Sequence, residues 1–434
     1  MKPLLIRNGR IIDPSRGWDG IGSILIADSK IARVEAVNIP IPETGCTVLD
    51  VPGMIVCPGF IDLHCHLREP GFEAKETIAT GTRAAAEGGF TTVCCMPNTR
   101  PPIDSPATII YIRKKATDEG VVKVLPVGCV TKGREGKELT DMEALAQAGV
   151  VAFSDDGDPV RDDDVMRQAL IMSKKFGLPV IDHCEDPVGG PPEGEAKMVA
   201  RDLKLAEETG GWVHIAHVST ARSVELISTA RSNKVMVTAE VTPHHLTLTE
   251  EAVKRSGTMA KVNPPLRSEE DRLALVRALK EEVIDIIATD HAPHTAADKQ
   301  TNFAKAASGI SGFETALGSL MGLVHNGELT MYELIHRLTI APATILSGKF
   351  SRCGTLAAGV PADITIFDPD KEWVVSPEVF VSRGKNTDSL SIPIRGFDKF
   401  IEERFILQWT TIGGNHKRET VLEYLPDHIK YPGI

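Results

Sequence analysis

Two histidines separated by one residue, His64 and His66, end an apolar stretch that begins at Met54. On a β-strand, residues two apart point to the same side, so both imidazoles would face one point while Cys65 faces away. Neutral imidazoles on a rigid element are zinc ligands, and two of them make half of a zinc site. The pair therefore predicts a metal site at the end of a strand.

Four further apolar runs also end in a histidine or an aspartate. They reach Asp156 in AFSDD, His183 in PVIDHCED, His217 in HIAHVST and Asp290 in IIATDHAPH. An isolated histidine is more often a core or surface residue than a ligand, so a single match would carry little weight. Because five runs share this ending, we expect their side chains to converge on one site.

Such a convergence suits catalytic zinc, which keeps one position for water and lowers the pKa of that water to near neutrality. A carboxylate that touches the attacking water can take its proton and hand it to a departing nitrogen, which predicts Asp290 as general base and then general acid. The predicted ligands are His64, His66 and Asp290 for one ion, His183 and His217 for a second, and Asp156 as a bridge.

Neighbouring residues compete for these roles. Asp155 shares the turn-like SDDGD segment with Asp156, and spacing alone does not choose between them. His214 competes with His217, although its position inside the strand favours a core role. A structural or supporting role is our interpretation of three other histidines, His244, His245 and His291.

Arg68 indicates what such a site would bind. It lies two residues past His66 and would share its side of the strand end, where a guanidinium offers a planar pair of donors to a carboxylate. The alternative role for Arg68 is an ion pair with Glu69 or Glu73. Further polar groups expected at the same mouth are Asn98, Asn263 and His294. A metal site beside an anion clamp predicts a small substrate that carries an acid group.

Composition excludes several classes of function. The 434 residues are 42% apolar and carry a net charge of −11, which argues against a nucleic-acid groove or an anionic membrane surface. No window is apolar enough to cross a bilayer, and the first residues lack a signal-peptide core. With eight cysteines and no CxxC motif, we expect a cytoplasmic protein with reduced thiols.

The elements that would position these residues alternate regularly. Between about residues 54 and 290, eight short apolar runs alternate with helix-like stretches, and a last helix is expected at about 313 to 325. Strand followed by helix, repeated eight times, is typical of a TIM-like (β/α)8 barrel, whose chemistry lies at the carboxyl ends of its strands. A doubly wound sheet would instead gather the ligands near one switch point.

The sequence pattern at the two ends of the chain differs from that of the barrel. Short β segments with turns occur before residue 53 and again in GTLAAGVPADITIFDP, which predicts one small β-sandwich built from both ends. The predicted domains are residues 1–53 and 349–409 for the sandwich, 54–348 for the catalytic barrel and 410–434 for a loosely held tail.

Several segments carry a resemblance to a known family. They include GFIDLHCHLREPGFEAKETIATGTRAAAEGGFTTVCCMPNTRPP, FSDDG, HCED, HIAHVST, NPPLRSEEDR and ATDHAPH. In these segments the chain resembles the dihydroorotases of the long, bacterial, metal-dependent type, within the amidohydrolase superfamily. The resemblance spans about residues 59 to 345, and GTLAAGVPADITIFDP extends it into the accessory segment.

The resemblance implies Zn²⁺, one or two ions, on the six predicted ligands, with Asp156 preferred over Asp155 and Asp290 as proton shuttle. It implies that Arg68, Asn98 and His294 hold a substrate carboxylate. The implied substrate-binding set is His66, Arg68, Asn98, Asn263, His294, Ser308 and Gly309. The last two and Asn263 would contact a pyrimidine ring.

The implied reaction is the reversible interconversion of dihydroorotate and N-carbamoyl-L-aspartate in de novo pyrimidine synthesis. The substrate is thus a small molecule, with no nucleic acid or membrane involved. The resemblance also implies a homo-oligomer or an association with aspartate transcarbamoylase as further possibilities. One departure from the family is a shortened segment, PVGGPPEGEAK, after His183.

Two other functions compete with this interpretation. Hydantoinases, dihydropyrimidinases and allantoinases share the barrel, but several bridge their metals with a carboxylated lysine on the fourth strand. The fourth run here, GVVAFSDDGD, has no lysine, and Arg68 with Asn98 suits a carboxylate that hydantoins lack. A non-catalytic scaffold for aspartate transcarbamoylase would be expected to have lost ligands, and this chain keeps all six.

Overall fold

The structure is a computed structural model that describes residues 2–39, 41–186, 190, 192–346, 352–388, 393–395, 405–407, 410–412 and 415–417. Two predicted features fall outside these residues, namely the domain boundary between 348 and 349 and most of the tail from 410 to 434. No helix within the described ranges is long and apolar enough to cross a membrane.

The strands are, in chain order, β1 Leu4–Asp13, β2 Trp18–Ala27, β3 Lys30–Ala36, β4 Thr47–Asp50, β5 Ile55–Pro58, β6 Phe60–Cys65, β7 Phe90–Cys95, β8 Lys123–Pro126, β9 Phe153–Ser154, β10 Val180–Asp182, β11 Val213–Ile215, β12 Val237–Val241, β13 Ile286–Ile287, β14 Ile364–Phe367, β15 Glu372–Val374, β16 Pro393–Arg395, β17 Phe405–Leu407, β18 Thr410–Ile412 and β19 Asn415–Lys417.

The helices are α1 Ile78–Glu87, α2 Pro106–Glu119, α3 Met142–Ala148, α4 Asp163–Phe176, α5 Glu193–Thr209, α6 Ala221–Ser232, α7 Pro243–Thr247, α8 Glu251–Ser256, α9 Glu269–Lys280, α10 Ala296–Lys299, α11 Phe313–His325, α12 Met331–Leu338 and α13 Ile340–Ile345. Helix α11 has the bounds expected from the sequence.

A small sheet joins the two ends of the chain. Its strands lie in the order β17-β14-β5-β1-β2-β3, with β4 paired to the first half of β1. A bridge between Lys30 and Pro361 connects β3 to the chain just before β14, so the sheet curls over its own apolar interior. The N-terminal and C-terminal segments therefore meet, as the sequence predicted.

Eight parallel strands form the barrel, and each comes from one of the eight predicted runs. Strands β6, β7 and β8 are hydrogen-bonded in that order, and so are β9 to β13. Parallel bridges from Gly128 to Phe153 and from Cys65 to His291 join the two groups and close the circle. The fold is thus the predicted (β/α)8 type, whose strand ends meet at one mouth.

Alternation along the barrel strands separates two apolar layers. Residues such as Val180, Val213 and Val237 pack outward against the helices. Others, such as Ile181 and Ile286, fill the inside of the barrel. Because each strand contributes to both layers, its position is fixed from two sides, and its carboxyl end is held rigidly.

Helix caps anchor the connections that follow four of the barrel strands. Thr77, Thr220, Thr242 and Thr295 begin α1, α6, α7 and α10, and each accepts a backbone N–H through its hydroxyl. Such a cap satisfies an otherwise unpaired helix N–H and contributes about 1 kcal/mol. The loops between strand and cap are therefore tied down at both ends.

Candidate active site

The end of β6 presents two histidines to the interior of the barrel. A register shift between Asp62 and Cys65 interrupts the pairing of β6 with β7, as a β-bulge does. Beyond it, His64 and His66 face the same centre, whereas the Cys65 thiol packs among the outer core residues and approaches the carbonyl of Cys94. The alternation expected from the sequence is therefore present.

Asp156 lies at the centre of the histidine cluster. It follows β9 directly and is 3% exposed. Its carboxylate oxygens lie 3.3 Å from His64 Nε2, 3.5 Å from His66 Nε2, 3.7 Å from His183 Nδ1 and 3.8 Å from His217 Nε2. Burial alone would raise the pKa of Asp156, but the charge of His64 and the other imidazoles hold it well below its usual value.

Asp290 closes the cluster from the end of β13. Its Oδ1 lies 3.0 Å from His66 Nε2 and 3.7 Å from His64 Nε2. The backbone of Asp290 is left-handed at φ 45°, and the preceding Thr289 donates to the buried Asp62 from its N–H at 2.8 Å and its hydroxyl at 2.7 Å. Because these bonds tie β13 to β6, a strained backbone is kept in place beside the histidines.

His183 and His217 form the far side of the cluster. His183 Nδ1 lies 2.8 Å from His217 Nε2, and the His217 backbone is left-handed at φ 32°. The other His183 nitrogen, Nε2, lies 3.1 Å from both Glu185 and Asn263. A carboxylate on the outer nitrogen fixes the orientation of the ring and directs the inner nitrogen to the centre.

Glu240 is a functional residue that sequence reasoning missed. It lies inside β12, fully buried, with one oxygen 2.5 Å from His64 Nδ1 and the other 3.1 Å from His214 Nε2. Burial would raise its pKa, but the charge of His64 and the bond from His214 lower it to about 2. The only local signal was a carboxylate within the apolar run VTAEV.

The cluster fits a divalent cation. Two buried atoms that face it make no hydrogen bond, namely His64 Nε2 and Asp156 Oδ1. Buried polar atoms are rarely left without a partner, so such a group indicates a missing one. Two overlapping triads could each hold an ion, His64 with Asp156 and His217, and His64 with His66 and Asp290. Imidazole and carboxylate donors suit zinc and related metals.

Arg68 stands beside the cluster without an acidic partner. Its guanidinium lies 3.3 Å from the carbonyl of Pro293 and 3.4 Å from His294 Nε2, and no described carboxylate forms an ion pair with it. Glu69 contacts Lys115 instead, so the expected alternative of a local ion pair is not realised there. Burial lowers the pKa of Arg68 to about 10, which leaves it cationic at neutral pH.

An open pocket of about 620 Å³, including its mouth, joins the cluster to Arg68. Its lining contains every sequence-predicted site residue except the deeper His64, together with Gly157 and Ala292: His66, Arg68, Asn98, Asp156, His183, His217, Asn263, Asp290, His294, Ser308 and Gly309. No lysine is among the described lining residues. The structure thus brings the predicted residues together around one space.

The competing residues lie elsewhere. Asp155 points away from the cluster and accepts the N–H groups of Val130 and Thr131 at 2.9 and 3.1 Å. His214 contacts Glu240 and Thr238 within the barrel. The remaining three are packed nearby: His244 against His245, His245 against the carbonyl of Pro264, and His291 stacked on Phe313.

Comparison with known proteins agrees with this architecture. The profile of the amidohydrolase family matches residues 55–392, which is most of the chain. The chain belongs to the amidohydrolase family.

Curated relatives narrow this to the dihydroorotases within that family. The chain is 48% identical over 432 residues to the dihydroorotase of Pelotomaculum thermopropionicum, covering 95% of this chain and 97% of that protein. It is 46% identical over 406 residues to the dihydroorotase of Aquifex aeolicus, covering 89% and 94%.

Solved structures show the same fold at lower identity. The L-hydantoinase of Arthrobacter aurescens has a TM-score of 0.84 at 24% identity and covers 98% of this chain and 97% of its own. A D-hydantoinase from Thermus sp. has a TM-score of 0.79 at 26% identity and covers 95% and 94%.

Proposed function

We propose that this chain is a zinc-dependent dihydroorotase that interconverts N-carbamoyl-L-aspartate and (S)-dihydroorotate in pyrimidine biosynthesis. The observation that carries the proposal is the half-buried guanidinium of Arg68, which has no described acidic partner and lies across one pocket from a histidine–carboxylate cluster. A cyclic amide that carries a carboxylate satisfies both features at once.

The residues proposed to hold the metal are His64, His66, Asp156, His183, His217 and Asp290. A divalent cation bound there supplies positive charge that polarises the ring carbonyl and makes a water nucleophilic near neutral pH. The two triads, which have His64 in common, support one or two ions. Glu240 and Glu185 hold His64 and His183 in the orientation that points a lone pair inward.

Asp290 is proposed as the proton shuttle. It takes a proton from the attacking water as oxygen adds to the ring carbonyl carbon, and it returns that proton to the ring nitrogen as the carbon–nitrogen bond breaks. Its side chain contacts His66 and stands at the pocket wall, where substrate and water meet. In the direction of ring closure the same group carries the proton the other way.

Substrate orientation follows from the hydrogen bonds already made by the pocket amides. Asn98 uses its carbonyl oxygen towards His66 Nδ1 at 2.9 Å, which leaves its NH₂ group to donate to a substrate carboxylate beside Arg68. Asn263 uses its NH₂ group towards Glu185 at 2.9 Å, which leaves its oxygen to accept a ring N–H. The two amides thus distinguish the carboxylate end of the substrate from its ring end.

One assay tests the proposal, namely ring opening of L-dihydroorotate by the purified protein before and after chelation, with hydantoin and dihydrouracil in parallel. We expect turnover of dihydroorotate that chelation abolishes and added Zn²⁺ restores. Turnover of hydantoin or dihydrouracil without dihydroorotate would favour the hydantoinase alternative and refute the proposal. Association with itself or with aspartate transcarbamoylase remains a prediction, which gel filtration with and without that partner tests.

A further inference from the structure

The segment from residue 380 to 388 lies against the barrel mouth, although it follows the barrel in sequence. Two of its backbone amides donate to the carboxylate of Glu314 at 2.7 and 3.1 Å. Gly384 packs so closely that a Cβ there would lie 2.4 Å from the Pro293 side chain. The segment therefore contacts the back of the loop that carries His294.

Asn386 is the residue of this segment that hydrogen-bonds to the pocket wall. Its side-chain oxygen accepts from the His294 N–H at 2.8 Å and from the Ser311 hydroxyl at 2.9 Å. Its NH₂ group donates to the carbonyls of Ala292 at 3.0 Å and Gly309 at 2.9 Å. The residue is 2% exposed, so one buried amide ties together the two chain segments that form this side of the pocket.

The Gly309 peptide is held from the other side as well. Its carbonyl also accepts from Lys299 Nζ at 3.0 Å, and its N–H donates to the carbonyl of Lys261 at 2.9 Å. Its φ is +136°, and a Cβ would lie 2.6 Å from the Cβ of Ala292, so only glycine fits. With its carbonyl occupied twice, this peptide serves as a rigid surface rather than as a free acceptor.

We propose that Asn386 is a positioning residue for substrate binding, because it hydrogen-bonds to both the His294 loop and the Gly309 loop without itself lining the pocket. The proposal deepens the function proposed above and rests on it, since it assigns the substrate-facing wall to these two loops. The segment after the barrel thereby takes part in the site.

The expected effect is on binding and not on the metal cluster. Removing the amide takes the buried partner from the Ala292 carbonyl, the His294 N–H and the Ser311 hydroxyl, and it leaves the Gly309 carbonyl with Lys299 alone, so the two loops separate or rotate to find water. A shift of about 1 Å in a positioning contact can cost about 100-fold in reactivity. None of the six proposed metal ligands contacts Asn386, so the metal content should not change.

The experiment compares Asn386→Ala and Asn386→Leu with the wild-type holoenzyme in steady-state turnover of L-dihydroorotate, together with metal analysis and thermal unfolding. Leucine keeps the side-chain volume and removes the hydrogen bonds, which separates packing from polar contact. Ser382→Ala is the matched control, because its fully buried hydroxyl lies on the same segment but donates to Glu76 at 2.6 Å and not to the His294 or Gly309 loop.

We expect both Asn386 variants to raise KM about tenfold or more, with kcat within about threefold and the metal content unchanged. The control should keep the wild-type KM. If the Asn386 variants do not fold, Ser311→Ala removes one of the four bonds and should raise KM in the same direction by less. A folded variant with wild-type KM, an equal rise in the Ser382 control, or a fall in metal content would each overturn the proposal.

Failure of the proposed function gives a different result. In that case the wild-type protein itself does not open dihydroorotate, and the same variants are compared with whichever cyclic amide the wild type hydrolyses. A rise in KM for that substrate would support the positioning role of Asn386, and an unchanged KM would refute it.

Discussion

Replacing Glu240 by glutamine tests whether the proposed metal site depends on a carboxylate buried behind it. The change keeps the size of the side chain and removes its charge. Glu240 accepts from His64 Nδ1 at 2.5 Å and from His214 Nε2 at 3.1 Å, and it is fully buried. A glutamine has one acceptor oxygen, so one of the two histidines would face an NH₂ group instead.

The magnitude follows from the position of Glu240 behind a proposed ligand. His64 must carry its proton on Nδ1 to offer Nε2 to a metal, and the carboxylate stabilises that tautomer. Partners of this kind typically contribute about 10-fold to 100-fold in metal affinity. We therefore expect the Glu240→Gln variant to bind Zn²⁺ more weakly by about 1.4 to 2.7 kcal/mol.

The assay is metal content and turnover after dialysis against graded concentrations of chelator. The variant should lose metal at a lower chelator concentration, and excess Zn²⁺ should restore most of its turnover. Glu251→Gln is the control, since that exposed carboxylate pairs only with Lys254 at 2.6 Å among described residues. Equal metal retention in the wild type and the Glu240 variant would refute the role assigned to Glu240.

Four further changes test other parts of the molecule. Arg68→Gln should raise KM for dihydroorotate about 30-fold or more with the metal retained, since a buried charge pair contributes about 2 kcal/mol or more; an unchanged KM would contradict the anion clamp. Asp290→Asn should lower kcat by about 100-fold or more without lowering the melting temperature by circular dichroism, and an active variant would exclude the proton shuttle. Asp13→Ala should destabilise the protein by about 1 to 3 kcal/mol in urea unfolding, because the fully buried carboxylate accepts the Leu356 N–H at 2.8 Å. Burial lowers the pKa of Lys299 from 10.5 to about 8, so between these pH values the unfolded chain binds more protons than the folded protein. The free energy of unfolding of the wild type, measured in urea titrations relative to Lys299→Met, should therefore rise from pH 8 to 10.5.

The features that could be predicted from the sequence are those carried by local periodicity. His64 and His66 face one side and Cys65 the other because side chains alternate along any strand. The eight barrel strands and helix α11 lie where apolar runs and helical patterns placed them. These properties depend on residues that are close together in the chain, so they can be recognised in the sequence.

Contacts between distant segments could not be predicted in this way. Glu240 meets His64 across 176 positions, and Asn386 meets Gly309 across 77. Neither residue ends an apolar run, and both lie among residues whose pattern indicates only buried strand or loop. Their partners are set by the closure of the barrel and by the return of the C-terminal segment to its mouth, which are properties of the whole fold.

The choice between Asp155 and Asp156 shows the same difference between what the sequence predicts and what the tertiary structure adds. Both carboxylates follow β9, and the sequence by itself determined that an aspartate would stand at this strand end. Spacing alone left the choice open, and the family resemblance favoured Asp156. The tertiary structure turns Asp156 to the histidines and Asp155 away from them, because adjacent residues project to opposite sides of the chain as it leaves the strand. The sequence thus determined the chemical groups and the elements that carry them. The closed barrel, by bringing distant strand ends within hydrogen-bond distance, decided which of those groups act together.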